Sequence, residues 1–172
     1  MTERVQPIRV EPLTEEAFRP FGQVLAASGR SPDYRGDGGA YGWLVGFQAD
    51  GTLRVSVSVA PFQGLAFRKL ERHHHVTQTF VPLEGAPAVV AVAAATDPHS
   101  IPEPAAVRAF LLDGSKGYLL ARGTWHSVDR FPLAPPATVF VVLNEEETAR
   151  DPARSQIVDY GARMGLTFEL LT

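Results

Sequence analysis

Phe67-Arg68-Lys69-Leu70-Glu71-Arg72-His73-His74-His75-Val76-Thr77-Gln78-Thr79-Phe80-Val81-Pro82 is the stretch on which the reading of this chain turns. As a strand over 67–73 it places Phe67, Lys69, Glu71 and His73 on one face, because side chains alternate along an extended backbone. A second strand over 77–81 follows. Glu71, His73 and Gln78 each carry a lone pair that a divalent ion can accept, and far down the chain Gly123-x-x-His126 adds another imidazole. The three consecutive histidines leave two readings. Either His73 and His75 pair on one strand face, or Glu71 and His73 do and His75 lies beyond the strand end. The run is internal and flanked by strand-like sequence, so it is not an expression tag. A plainer alternative makes the group a surface ladder of charge, with His126 merely packed beside Trp125.

Working outward, the period stays at two. Leu53, Val55, Val57 and Val59 alternate with Arg54, Ser56 and Ser58, which predicts a strand with one wet face. Further strands are expected over 89–95, 107–112, 118–121, 138–143 and 167–170, separated by turns rich in Gly, Pro and Asp. One short helix is expected over 11–22, with Thr14 as its N-cap, Glu15 and Glu16 in the first turn, and Pro20 and Gly22 ending it. Residues 28–40 read as loop, and 145–151 as a short helix or a solvated loop. Many short strands with little helix predict an all-β fold, a closed or nearly closed antiparallel barrel with a short N-terminal helix. No repeat or long linker interrupts 1–172, which is read as a single domain.

With 45% apolar and 20% charged residues in 172, the composition is that of a globular chain with room for a substantial core. Fourteen prolines and fifteen glycines favour turns over long helices. A formal charge of −3 argues against a nucleic-acid footprint. There is no cysteine, so any metal must be held by nitrogen and oxygen. The opening Met1-Thr2-Glu3-Arg4 has no apolar run typical of a signal peptide, and the longest apolar stretch, 86–95, contains Pro87 and is too short to span a bilayer. A cytoplasmic location, with neither membrane nor nucleic acid as partner, is the expectation.

Glu71-x-His73, four residues, Gln78, six residues and Gly85, then Ala121-x-Gly123-x-x-His126, resembles the two motifs of the cupin jelly-roll barrels, with Glu at the first His position, Gln at the Glu position and Ala for Pro. Leu70-Glu71-Arg72-His73, Thr77-Gln78-Thr79-Phe80-Val81-Pro82, Trp125-His126 and the opening Pro12-Leu13-Thr14-x-x-Ala17-Phe18-x-x-Phe21-Gly22 are similar to the ureidoglycolate lyase family within that superfamily. The resemblance implies a cupin-like jelly-roll β-barrel and a homodimer. It implies an enzyme splitting ureidoglycolate into glyoxylate and urea in allantoin breakdown. It also implies a divalent ion (Ni, Mn or Zn) on Glu71, His73, Gln78 and His126.

The chain departs from the family's pattern where arginines are common. No Arg falls near Gly42, Val59 follows the Ser-rich strand, and Asn144-Glu145 stands where Asp-Arg is frequent. Arg68, Arg72 and Arg122 are the candidates to replace them as a carboxylate clamp. His73, His75 and Arg72 are the expected catalytic residues, with His74 or His75 as proton shuttle, and Phe80 and Trp125 are expected to wall the pocket. Competing readings keep the barrel but turn over another small hydroxy, keto or sugar acid, or bind a small molecule without turnover.

Overall fold

The computed structural model describes residues 4–27 and 31–172, so positions 28–30 of the expected loop lie outside the described residues. The strands are β1 (Arg4–Pro12), β2 (Gly22–Leu25), β3 (Tyr34–Arg35), β4 (Tyr41–Gly42), β5 (Leu53–Pro61), β6 (Ala66–Phe67), β7 (Lys69–His73) and β8 (Gln78–Gly85). There follow β9 (Ala88–Ala93), β10 (Arg108–Leu112), β11 (Gly117–Leu120), β12 (Trp125–Ser127), β13 (Phe131–Pro132), β14 (Ala137–Glu145), β15 (Ser155–Asp159) and β16 (Leu166–Leu171). The helices α1 (Glu15–Phe18), α2 (Glu146–Arg150) and α3 (Tyr160–Met164) are each about one turn.

Two curled sheets carry the mainly-β, cupin-like architecture. One runs β15-β7-β12-β9-β10-β1-β16-β6, with β13 also on β9, and the other runs β2-β11-β8-β14-β5. Phe80, Tyr118, Phe140 and Val142 from the second sheet meet Val90, Val92 and Phe110 from the first in the core between them. The continuous apolar run of β9 follows from its place. Ala88, Val90 and Val92 enter that core, while Val89, Ala91 and Ala93 enter a second core with Trp125, Tyr160 and Phe168.

Three expectations are corrected. The sheets are not wholly antiparallel: β1 pairs in parallel with both β10 and β16. No hairpin joins β1 to either neighbour, so connectivity does not fix its direction, and the slot between them satisfies its backbone groups on both sides. The helix expected over 11–22 shrinks to Glu15–Phe18, because 11–12 belong to β1 and Gly22 opens β2. Its cap is as expected, with Thr14 Oγ1 accepting from Ala17 N at 3.2 Å. Phe18 anchors this corner edge-on to Phe110 and Tyr118.

The third correction concerns β5, whose alternation is real but whose residues 53–59 are exposed on both faces rather than on one. In its ladder with β14, Ser56 lies opposite Val142 and Ser58 opposite Phe140, both buried in the barrel core, while Val55, Val57 and Val59 lie opposite Leu143, Val141 and Val139. Directly opposed residues share a face, so the serines turn toward the open cavity of the barrel, where they stay exposed, and the valines turn out. Val55, Val57 and Val59 are 70%, 66% and 62% exposed.

Candidate metal centre

The register of β7, β12 and β9 gathers the site. His126 lies opposite Glu71 on one side and opposite the core residue Val92 on the other, so all three project into the barrel. His73, two residues beyond Glu71, shares that face. The second strand reading therefore holds: β7 ends at His73, and His74 and His75 lie in the bend beyond it. Gln78 opens β8 opposite Leu120, another core residue, and also points inward. Gly85, at the far end of β8, has φ +100° and approaches β14 so closely that a Cβ would stand 2.2 Å from the Ala137 carbonyl oxygen. Gly123, with φ +78°, makes the turn that returns the chain into β12, and its N–H donates to the His73 carbonyl at 2.7 Å.

Glu71 Oε1 lies 3.7 Å from His126 Nδ1 and 4.0 Å from His73 Nε2. One donor atom from each of the three residues falls within 4.8 Å of the others. His126 is 1% exposed and His73 6%. His126 Nδ1 contacts the Ser127 carbonyl at 3.0 Å, and a carbonyl only accepts, so that nitrogen carries the proton and Nε2 the lone pair. His73 is oriented from the same end of its ring, by Ser155 Oγ 3.1 Å from its Nδ1. Both Nε2 atoms and Gln78 Oε1 are buried without a hydrogen-bond partner among the described residues. Buried polar atoms are normally satisfied, and imidazoles held at Nδ1 with free Nε2 atoms are the usual arrangement of metal ligands. The surface-ladder alternative is excluded by this burial.

Burial also sets the charges. It pushes the Glu71 carboxyl up to about 7, against the pull of Arg130 and with a push from Asp129. It pushes His73 down to about 4 and His126 well below its usual value, so both imidazoles are neutral near pH 7. Beside the group lies a cavity of about 270 Å³, reached by Glu71 and Gln78 and lined across from them by Ser56, Ser58 and Asn144, with Phe80 and Arg130 at its wall.

Several expected residues are elsewhere. His75 is nearly half exposed and contacts Asp50 at 3.2 Å, while His74 is exposed. Neither lines the cavity. Arg122 is held by Asp50 at 2.8 Å, and Arg68 donates to Thr167. Trp125 does not wall the pocket: it is fully buried in the second core, donates from Nε1 to Thr96, and stacks under Arg72 at 4.4 Å. Arg72 points away from Glu71 and His73, as strand alternation requires. Its guanidinium, fully buried, donates to the Thr96, Asp97 and Pro98 carbonyls and to Gln156 Oε1. Arg72→Ala should therefore destabilise the fold by about 3 kcal/mol or more, since several buried acceptors lose their donor at once. Urea denaturation of the variant measures this, and a loss under about 1 kcal/mol would contradict the structural role.

Ser56, Ser58, Asn144, Ser155 and Arg130 were not singled out by pattern. Arg130 had no signal beyond its place four residues after His126.

A jelly-roll barrel that gathers two neutral imidazoles around a carboxylate at the edge of a polar cavity defines a cupin-type protein with a centre able to hold a metal ion. Residues 5–159 match the sequence model described as ureidoglycolate lyase, and the chain belongs to the ureidoglycolate lyase family of the cupin superfamily. It is 37% identical over 131 residues to a protein named ureidoglycolate lyase from Pseudomonas aeruginosa, covering 71% of this chain and 75% of that one. The Azotobacter vinelandii protein of the same name is 36% identical over 127 residues, 69% of this chain and 74% of its own. Among solved structures, RmlC from Streptococcus suis in complex with dTDP-D-xylose is similar at 14% identity and a TM-score of 0.43, over 65% of this chain and 54% of that one.

Proposed function

We propose that the chain is a ureidoglycolate lyase, eliminating urea from ureidoglycolate to give glyoxylate in the allantoin branch of purine breakdown. One observation carries the reading: Glu71, which lines a small polar cavity with Gln78, is flanked by the buried His73 and His126, and the Nε2 atoms of both histidines and Oε1 of Gln78 are orphaned. Family membership supplies the substrate. Glu71, His73 and His126 would hold a divalent ion, with Gln78 beside them. A thiolate-free N/O donor set suits nickel, manganese or zinc. Such an ion supplies Lewis acidity to the substrate's hydroxyl and carboxylate.

The remaining work falls to the chain. Glu71 presents Oε1 to the histidines, which leaves its other oxygen to face the substrate. That oxygen takes the hydroxyl proton as the C=O bond forms and the C–N bond breaks, and returns it to the departing urea nitrogen. No water is consumed, so the reaction is an elimination. His74 and His75, out of reach of the cavity, take no part. A panel of ureidoglycolate, other 2-hydroxy acids and sugar acids, offered to the metal-loaded protein, tests the reading. Urea and glyoxylate from ureidoglycolate are expected, and turnover of another acid with none of ureidoglycolate would replace the assignment.

We also infer a homodimer, in one cytoplasmic domain spanning 1–172. Among the described residues no helix is long and apolar enough to cross a membrane. β5 is an edge strand, and its exposed valines continue across Val139, Val141 and Leu143 of β14 to Val81 and Leu83 of β8. An uncovered apolar face beside a nine-residue open edge is an association surface. A second copy can meet this open edge antiparallel across a two-fold axis, which pairs the same surface of both chains. Val57→Asp is expected to shift the protein to monomer in light scattering. An unchanged mass would remove this face from the interface.

A further inference from the structure

We propose that Arg130 is the residue that reads the substrate's carboxylate, and that the neutral row Ser56, Ser58 and Asn144 across the cavity takes the ureido end. The inference rests on the reading of the site as a ureidoglycolate lyase centre and deepens it, because none of the expected arginines lines the cavity.

Arg130 is only 8% exposed. Its Nε donates to Tyr118 Oη at 2.8 Å and its Nη1 to the Ser127 carbonyl at 2.8 Å, so two of the three guanidinium nitrogens are fixed by the barrel. The plane lies over Phe80, with Cζ 4.0 Å from the ring centroid. None of these bonds uses Nη2. Among the described residues, no carboxylate lies within ion-pair distance of this guanidinium. The contrast with Arg108 and Arg154 is direct, since each of those is paired with its own glutamate. A buried cation with no carboxylate in direct contact is costly, and an anion entering the cavity relieves that cost. A guanidinium fixed at two nitrogens with the third free to donate is preorganised for a carboxylate.

The opposite wall differs in kind. Ser56, Ser58 and Asn144 offer hydroxyl and amide groups that both donate and accept, as a neutral ureido group requires, and place no charge there. Glu71 and Gln78 line the same cavity, Gln78 on β8 beside Asn144 of β14.

The test compares wild type, Arg130→Gln and Arg130→Lys on ureidoglycolate and on its uncharged primary amide. Arg130→Gln is expected to raise KM for ureidoglycolate by about 30- to 100-fold, the loss of one charge-assisted contact, with a smaller change in kcat. Arg130→Lys should restore part of that loss. The amide should be a poor substrate for wild type and no poorer for Arg130→Gln. KM values within about twofold of wild type in both variants would overturn the role of Arg130 while leaving the lyase reading intact. If wild type does not turn over ureidoglycolate, the lyase reading fails on its own. Calorimetric titration of glycolate into the manganese-loaded protein then decides on Arg130. Binding at least about tenfold weaker in both variants supports the carboxylate role, and equal binding overturns it. Thermal melting of both variants accompanies each measurement, and Arg130→Lys, which keeps the buried charge, carries the comparison if Arg130→Gln does not fold.

Discussion

His73→Ala and His126→Ala should each lower urea release from ureidoglycolate by about a thousandfold or more. The size follows from what each imidazole contributes. The described donor set pairs one carboxylate with two nitrogens, so removing either leaves an ion held by too few groups to stay bound or to polarise a hydroxyl. A Lewis-acid contribution of several kcal/mol corresponds to about three powers of ten in rate. The two variants should resemble each other, and the double variant should be little worse than either, because one centre is lost each time. Fold stability is the control. Both rings are buried with unpaired Nε2 atoms, so alanine removes an unsatisfied polar atom along with the packing. Full activity in both variants, measured as urea and glyoxylate together, would take the reaction away from this centre.

Affinity for manganese should fall by about tenfold for each pH unit below pH 7. Glu71 is held at about 7, chiefly by burial, so an ion entering below that pH must displace its proton. His73 does not compete until pH nears about 4, and His126 lies well below its usual value, so one proton per ion is displaced across that window. The metal-free fold responds to the same groups in opposite senses. Glu71 has a folded pKa above its usual 4.5, so its contribution to stability is complete below 4.5 and is lost as pH rises to about 7. His73 has a folded pKa below its usual 6.5, so its contribution is present above 6.5 and is lost as pH falls to about 4. Bound metal removes the Glu71 penalty, so the melting temperature gained on adding manganese should be larger at about pH 7.5 than at about pH 5.5. Calorimetric titration across this range checks the slope, and an affinity independent of pH would show that Glu71 is not a ligand.

Short-range pattern made much of this legible. Period-two alternation in 67–73 places Glu71 and His73 together on paper, and the return at Gly123-x-x-His126 supplies the distant partner. What pattern does not carry is which face a strand turns inward. For β5 that is fixed by its pairing with Phe140 and Val142 of β14, far along the chain, which fill the core and leave the serines to line the cavity. β1 escapes notice because a proline and alternating charges dilute its pattern, and because its partners lie at 108–112 and 166–171. His75 illustrates the limit of a compositional cue: three consecutive histidines suggest a cluster, but the strand ends at the first and the third pairs with Asp50. Arg130 is the reverse case. A single arginine in a turn has no periodicity to betray it, and only the packing of Tyr118 and Phe80 gives it a role.

The central claim is that one ion on Glu71, His73 and His126 is needed for the elimination. Chelator-stripped protein, titrated with manganese while urea and glyoxylate release from ureidoglycolate is followed, tests it most directly. Activity should be absent at the start, rise with added metal and saturate at one ion per chain. Full turnover by the stripped protein, unchanged on adding metal, would contradict the account.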